Sequence, residues 1–279
     1  MRVGTVTVRQ IEDWWLAKTA DGTGYWARRQ AFHTLQHMLS VATRKRHIDW
    51  NPTTAFDLPN PPRRVARDHL TLREYRSVLA ACASSEELLW VRLAGEAGLR
   101  RGEIAALRRR CVDVDLGEIV VEASIAHVTG AGVVERPPKS GSARIVAIGP
   151  SLSAAIAEYA EHEQLDAEDR LFRSPFDGGP VRPDTMTSRT RKLVARAGLR
   201  RDDGSPRFSL HDLRRTAATL AREAGVDVEV IRDQLGHGHV QMTTKHYIRA
   251  RANPRLNEFA TAIDRLMQTR DGTTETFEQ

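Results

Sequence analysis

Residues 57 to 69 read DLPNPPRRVARDH, rich in proline and arginine and without an apolar period. Such a stretch cannot join a helix interior or a central strand. Proline removes a backbone donor and fixes φ, and the charged residues have no buried face to occupy. It reads as an interdomain linker. The expected organisation is a helical piece over 1–57, a linker over 58–69, a larger domain over 70–268 and a polar tail over 269–279. A chain of 279 residues is long enough for that division.

Both pieces have a legible pattern. In the first, VTVRQIEDWWLAK is a short amphipathic segment, and YWARRQAFHTLQHMLSVATRKRHI is a longer one. Phe32, Leu35, Leu39 and Ala42 fall at helical spacing, and Arg28, Arg29, His33, Arg44 and Lys45 fall opposite. Asn51-Pro52 is the expected helix end. In the second, Thr71 and Glu74 form a capping box that opens a helix. Another helix is expected from Glu86 to Ala97, broken by Gly98. From Glu118 to Ile148 the period changes from helical to alternating. That predicts one three-stranded antiparallel sheet, about 118–126, 132–136 and 143–148, with Lys139 in the turn before the third strand. Ser151 is the expected cap of the next helix, residues 185–197 read as a basic helix, and NEFATAIDRLMQ as a last one. The fold class is therefore mainly α with a small antiparallel β-sheet.

The net charge is +6, which favours a polyanionic partner. Arginines concentrate at Arg100, Arg101, Arg108 to Arg110, Arg189, Arg191, Arg214 and Arg215. A basic linker between two basic halves suggests a chain that wraps its partner like a clamp. Aromatics are only 6%, which argues against a single-strand binder built on base stacking. No apolar run approaches the ~18 residues of a membrane span. The start, MRVGTVTVRQ, lacks a secretory apolar core. Cys82 and Cys111 have no metal-type spacing and fit a reduced, cytoplasmic compartment.

The stretch from Ser209 to Tyr247 concentrates chemistry. Ser209 and Asp212 make an acidic capping box, which starts a helix and puts His211 and Arg214 one turn apart near its N-terminus, where anions are favoured. Arginine can grip phosphate oxygens with a two-pronged fork. His237 follows in a Leu-Gly-His turn, and Tyr247 comes ten positions later among Lys245, His246 and Arg249. Cations nearby favour phenolate, so Tyr247 is a candidate nucleophile. Arg100 precedes Glu103 by three positions, and Lys139 in its turn is a candidate proton donor. His237-Gly238-His239 has a metal-like spacing, but its glycine marks a turn and no third ligand sits at a convincing distance, so no metal is expected. Taken singly, each of these residues is more often an ordinary surface group.

Together, the series GLRRGE, PPKSGSAR, HDLRRTAAT and LGH, then the tyrosine, resembles the tyrosine recombinase (phage integrase) family over about residues 69–255. The helical N-terminal stretch is similar to that family's core-binding domain. The resemblance implies a catalytic set of Arg100, Glu103, Lys139, His211, Arg214, His237 and Tyr247. It implies double-stranded DNA with specific recombination sites as substrate, a homo-tetramer on DNA, neither metal nor cofactor, and an accessory directionality factor as a further partner. A type IB topoisomerase, a metal-dependent tyrosine nuclease and a non-catalytic DNA binder are the rival readings.

Overall fold

The computed structural model describes residues 3–62, 69–128, 130–138, 143–202, 204–236 and 255–269. The chain forms two compact units, residues 1–67 and 68–279. Mainly helical elements with small antiparallel sheets make up the fold.

In the first unit, Thr7 caps helix α1 (Val8–Ala20) with a full capping box to Gln10. Helix α2 (Tyr25–Arg44) packs beside it. Ile11, Trp15 and Phe32 form the core, with Phe56 and Leu58 against them. Helix α2 ends earlier than the expected Asn51-Pro52. Arg46 turns left-handed at φ +58°, and the His47 N–H donates back to the Ala42 carbonyl at 2.9 Å, which is a helix-stop motif. Asn51 instead caps a short 3₁₀ turn, accepting from the Thr53 N–H at 3.0 Å. The basic face is partly engaged within the unit. Arg28 lies 4.8 Å over the Trp15 ring and bonds Thr19, and Arg29 lies 5.5 Å over Trp26. His33, Arg44 and Lys45 remain exposed.

The second unit starts with α3 (Leu72–Ala80) behind the predicted Thr71–Glu74 capping box. Helix α4 (Ser85–Gly95) and the short α5 (Arg101–Ala106) follow. The β region differs from its prediction. Strands β1 (Val112–Asp113), β2 (Glu118–Val121) and β5 (Arg144–Ala147) make one sheet in the order β1-β2-β5. Strands β3 (Ser124–Val128) and β4 (Gly132–Arg136) make a separate hairpin. The expected strand 118–126 thus divides between two sheets. The break falls at Glu122, which pairs with Arg110 at 2.5 Å and accepts from the Cys111 thiol at 3.4 Å. Strand β5 pairs with β2, not β4. Residues 139–142 themselves lie outside the described residues.

Helix α6 (Pro150–His162) is capped by Gly149, two positions earlier than Ser151. The Ser151 N–H instead donates to Asp264 at 3.0 Å and its hydroxyl accepts from Arg92 at 2.9 Å. Helices α7 (Pro183–Arg196), α8 (Leu210–Glu223), α9 (Val228–Leu235) and α10 (Leu256–Gln268) complete the unit. Tyr75, Trp90, Ile104, Ile119, Ile156, Phe172, Leu213 and Phe259 form one continuous core. Helix α10 packs on its own unit: Phe259 is fully buried, and Arg76 donates to the Leu266 carbonyl at 2.7 Å.

Candidate functional site

Four elements of the second unit converge on one carboxylate. Helix α4 stops at Gly95, short of the expected Ala97; in the turn that follows, Gly98 has a φ of +71° that suits glycine, and a Cβ there would lie 2.5 Å from Leu235 Cδ2. The chain then turns directly into Arg100, which caps α5 and holds Glu103 on its inner face. The Arg100 peptide N–H donates to Glu103 Oε2 and its Nη1 to Oε1, both at 2.8 Å. Arg144, at the head of β5, donates Nη1 to Oε1 and Nη2 to Oε2, again at 2.8 Å. Each carboxylate oxygen therefore receives two donors. The Glu103 side chain is 1% exposed. Burial alone would raise its pKa, but the hydrogen bonds and charge of Arg144, with those of Arg100, win and hold it at about 2.

Arg214 enters from α8. That helix buries Leu210, Leu213, Ala217, Leu220 and Ala221 at helical spacing, and Arg214 sits on the same stripe. Ser209 donates its backbone N–H and hydroxyl to Asp212, which fixes the start of the helix as predicted. Arg214 is 3% exposed. Its guanidinium donates to the carbonyls of Gly98, in the connection after α4, and Leu235, the last residue of α9. Burial and the facing Arg100 and Arg144 cations push its pKa down to about 9, with Glu103 opposing them. At neutral pH it remains charged. The cluster holds two guanidiniums on one carboxylate and a third, that of Arg214, close enough to feel all three charges. Such an excess of buried positive charge is stabilised by an incoming anion.

Helix α9 delivers the remaining wall. It ends at Gly236 with φ +64°, and Arg100 Nη2 reaches the Gly236 carbonyl at 3.4 Å. A Cβ on Gly236 would lie 2.7 Å from Arg144 Cδ, so the glycine is required twice, by conformation and by space.

The structure thus brings together Arg100, Glu103 and Arg214 of the predicted set. His211 is exposed on the first turn of α8. Lys139, His237 and Tyr247 lie outside the described residues. Two further residues were not predicted. Arg144 heads a strand that is otherwise apolar (RIVA), a place where a charge needs a buried partner. Gln234 is fully buried. It accepts from the Ala147 N–H at 3.1 Å and donates to the Ala147 carbonyl at 2.8 Å, as a neighbouring strand would. A glutamine on the apolar side of VEVIRDQL was the available signal. Among the described residues, no group of three or more His, Cys, Asp or Glu side chains could hold a metal ion. Among them, too, no helix is long and apolar enough to cross a membrane.

Comparison with known proteins bears on the same unit. The family model described as the phage integrase family matches residues 68–253. Transposase A of transposon Tn554 from Staphylococcus aureus is 28% identical over 203 residues, covering 70% of this chain and 52% of that protein. Tyrosine recombinase XerC 2 from Ralstonia nicotianae is 29% identical over 209 residues, covering 72% of this chain and 54% of that protein. The chain therefore spans about half the length of these curated relatives. Among solved structures, the integrase of transposon Tn1549 in complex with a circular intermediate DNA superposes with a TM-score of 0.71. It is 19% identical, with 88% of this chain and 82% of that one covered, a likeness that speaks to the fold.

Proposed function

We propose that this chain, which belongs to the phage integrase family, breaks and rejoins double-stranded DNA at specific sites through a covalent 3′-phosphotyrosyl intermediate. The observation that carries the reading is the pairing of Arg100 and Arg144 with the buried carboxylate of Glu103, beside the buried guanidinium of Arg214. A receptor with more cations than anions fits a transferring phosphoryl group, whose extra transition-state charge falls on the non-bridging oxygens. The order of the motif segments supports the remaining roles.

In this reading the Tyr247 hydroxyl attacks the phosphorus of a DNA phosphodiester. An O–P bond forms to tyrosine, the bond to the 5′-oxygen breaks, and Lys139 supplies the proton that the leaving 5′-oxygen needs. His211 assists removal of the tyrosyl proton. Arg100, Arg214 and His237 neutralise the phosphorane, and Glu103 holds Arg100 in place. The bond energy stays in the phosphotyrosyl link, so the 5′-hydroxyl of another strand reverses the step without ATP. Pairing of two duplexes calls for four protomers, hence a homo-tetramer on DNA. Residues 1–57 act as the core-binding domain and 70–268 as the catalytic domain. An accessory directionality factor is a further partner.

Covalent trapping tests the reading. The full chain is incubated with a pool of short duplexes of randomised sequence, each carrying a nick, and denatured. A DNA-linked species is expected from the native protein and none from Tyr247→Phe, which should retain DNA on a filter. Adduct formation by Tyr247→Phe at the native rate would refute the assigned nucleophile. Sequencing the captured duplexes would also reveal the site.

Because guanidiniums supply the positive charge, EDTA is expected to leave adduct formation unchanged. Its abolition by EDTA would favour a metal-dependent tyrosine nuclease organised on His237 and His239.

A further inference from the structure

We infer that Arg144 is a positioning residue for the proposed strand-cleavage reaction: its guanidinium locks Glu103, and Glu103 in turn aims Arg100 at the phosphate. The inference rests on the recombinase reading for its chemistry and on the hydrogen-bond geometry for its mechanics.

Arg100 alone is poorly held. Its side chain gives Glu103 one hydrogen bond, from Nη1, and its second amino group makes only a long contact of 3.4 Å to Gly236. Glu103 alone is poorly held too, because a glutamate side chain has three torsions to fix. Arg144 removes that freedom. Its fork meets both carboxylate oxygens at 2.8 Å, the planar two-point pairing that fixes orientation as well as distance. Its side chain is 12% exposed, and its anchor is strand β5, hydrogen-bonded to β2 through Val121. Position 144 is 41 residues from Glu103 in sequence. The fork therefore ties α5 to a rigid sheet that the local sequence of α5 does not supply.

The stem of Arg144 does a second job. Its Cδ and Nε lie where a Cβ of residue 236 would be, so it packs on the bare Cα of Gly236. The carbonyl of Gly236 is the second partner of Arg100. Arg144 thus supports both groups that Arg100 touches, one by hydrogen bonds and one by packing. Both of its Nη hydrogen bonds go to Glu103, so direct phosphate contact falls to Arg100 and Arg214.

A buried ion pair that served stability alone would change the melting temperature and leave the rate on bound DNA untouched. The test therefore measures rate and binding separately, on the full chain, with Arg144→Gln and the charge-keeping Arg144→Lys. The probe is the randomised pool of nicked duplexes, supplied at saturation. Adduct formation by Arg144→Gln is expected to slow by ~10–100-fold, the usual cost of losing a supporting partner, while filter retention of the pool stays within about twofold. Arg144→Lys, with one donor direction in place of a fork, should recover part of the rate. The acid limb of the rate profile should also move to higher pH in Arg144→Gln, because Arg144 contributes most to keeping Glu103 ionised. Native rates in Arg144→Gln, or a loss explained wholly by weaker retention, would overturn the proposal and leave the recombinase reading standing.

A second measurement needs no cleavage. With nitrogen-15 arginine labelling, the Nη resonances of Arg100, identified by their loss in Arg100→Lys, should be resolved by hindered rotation in the native protein. They should average in Arg144→Gln. Persistence of the hindered resonances in that variant would refute the positioning role, whether or not any duplex in the pool reacts. Absence of adduct from the native protein would count against the recombinase reading alone.

Discussion

Replacing Glu103 by glutamine is expected to lower folding stability by about 3–5 kcal/mol at neutral pH, the range for removing one partner of a buried charge cluster. The carboxylate is 1% exposed and accepts from both Arg100 and Arg144. Glutamine has nearly the same shape but no charge, and its amide NH₂ would face a guanidinium with nothing to accept from it. Arg100, Arg144 and Arg214 would then stand together without a counter-charge. The pH dependence follows from the carboxyl itself. Its pKa falls from 4.5 to about 2 on folding, worth about 3 kcal/mol. That stability is fully present above the unfolded value of 4.5 and is lost as pH falls through about 2. The glutamine variant has no such proton to take up. The gap between the two proteins should therefore narrow steadily below 4.5. Urea melts at neutral pH and at about pH 3 would show it, with equal slopes indicating that only stability has changed. A gap that did not vary with pH would mean that packing, not charge, is what Glu103 contributes.

The helical half of the fold was legible because its signals are local. Thr71 with Glu74, and Ser209 with Asp212, form capping boxes that act within one turn, and both occur in the structure. The stripe of Phe32, Leu39 and Ala42 is buried as its spacing requires. What failed was non-local. Alternation over 118–126 shows that the segment is extended but not which neighbour each part pairs with. The division falls at Glu122, whose partner Arg110 lies twelve residues earlier. The stop of α2 at Arg46 was hidden because a left-handed arginine carries no glycine signature. In the site, Arg100, Glu103 and Arg214 were named through the resemblance of the whole motif series, since residue type and spacing alone left each an ordinary surface group. Arg144 was not, since a single arginine heading an apolar strand reads as an edge charge until the fold brings Glu103 beneath it. Gln234 escaped for the same reason: its partner, Ala147, lies 87 residues away.

Arg214→Ala should give the opposite balance to Glu103→Gln: a large loss of rate and a small change in fold stability. In the proposed mechanism the guanidinium stabilises charge that develops on the phosphorane. Its removal should slow adduct formation on the order of 10²–10³-fold, the scale for losing one donor to a developing anion. For the free protein two effects oppose each other. The carbonyls of Gly98 and Leu235 lose their donor, which costs stability. Against that, a buried cation whose charged form is disfavoured by burial and by Arg100 is removed. The net change is expected within about 1 kcal/mol in urea melts, since the two contributions are of similar size. Arg214→Lys separates charge from shape: a lysine can keep the charge but cannot span both carbonyls, so it should remain slow. DNA should restore the asymmetry, stabilising the native protein against urea more than Arg214→Ala. A variant that lost several kcal/mol in the absence of DNA, with the rate on saturating DNA unchanged, would assign Arg214 to the fold rather than to the phosphate. The carboxylate and the guanidinium of one cluster thus carry separable burdens, the first holding the cations together and the second leaving them short of an anion until the substrate arrives.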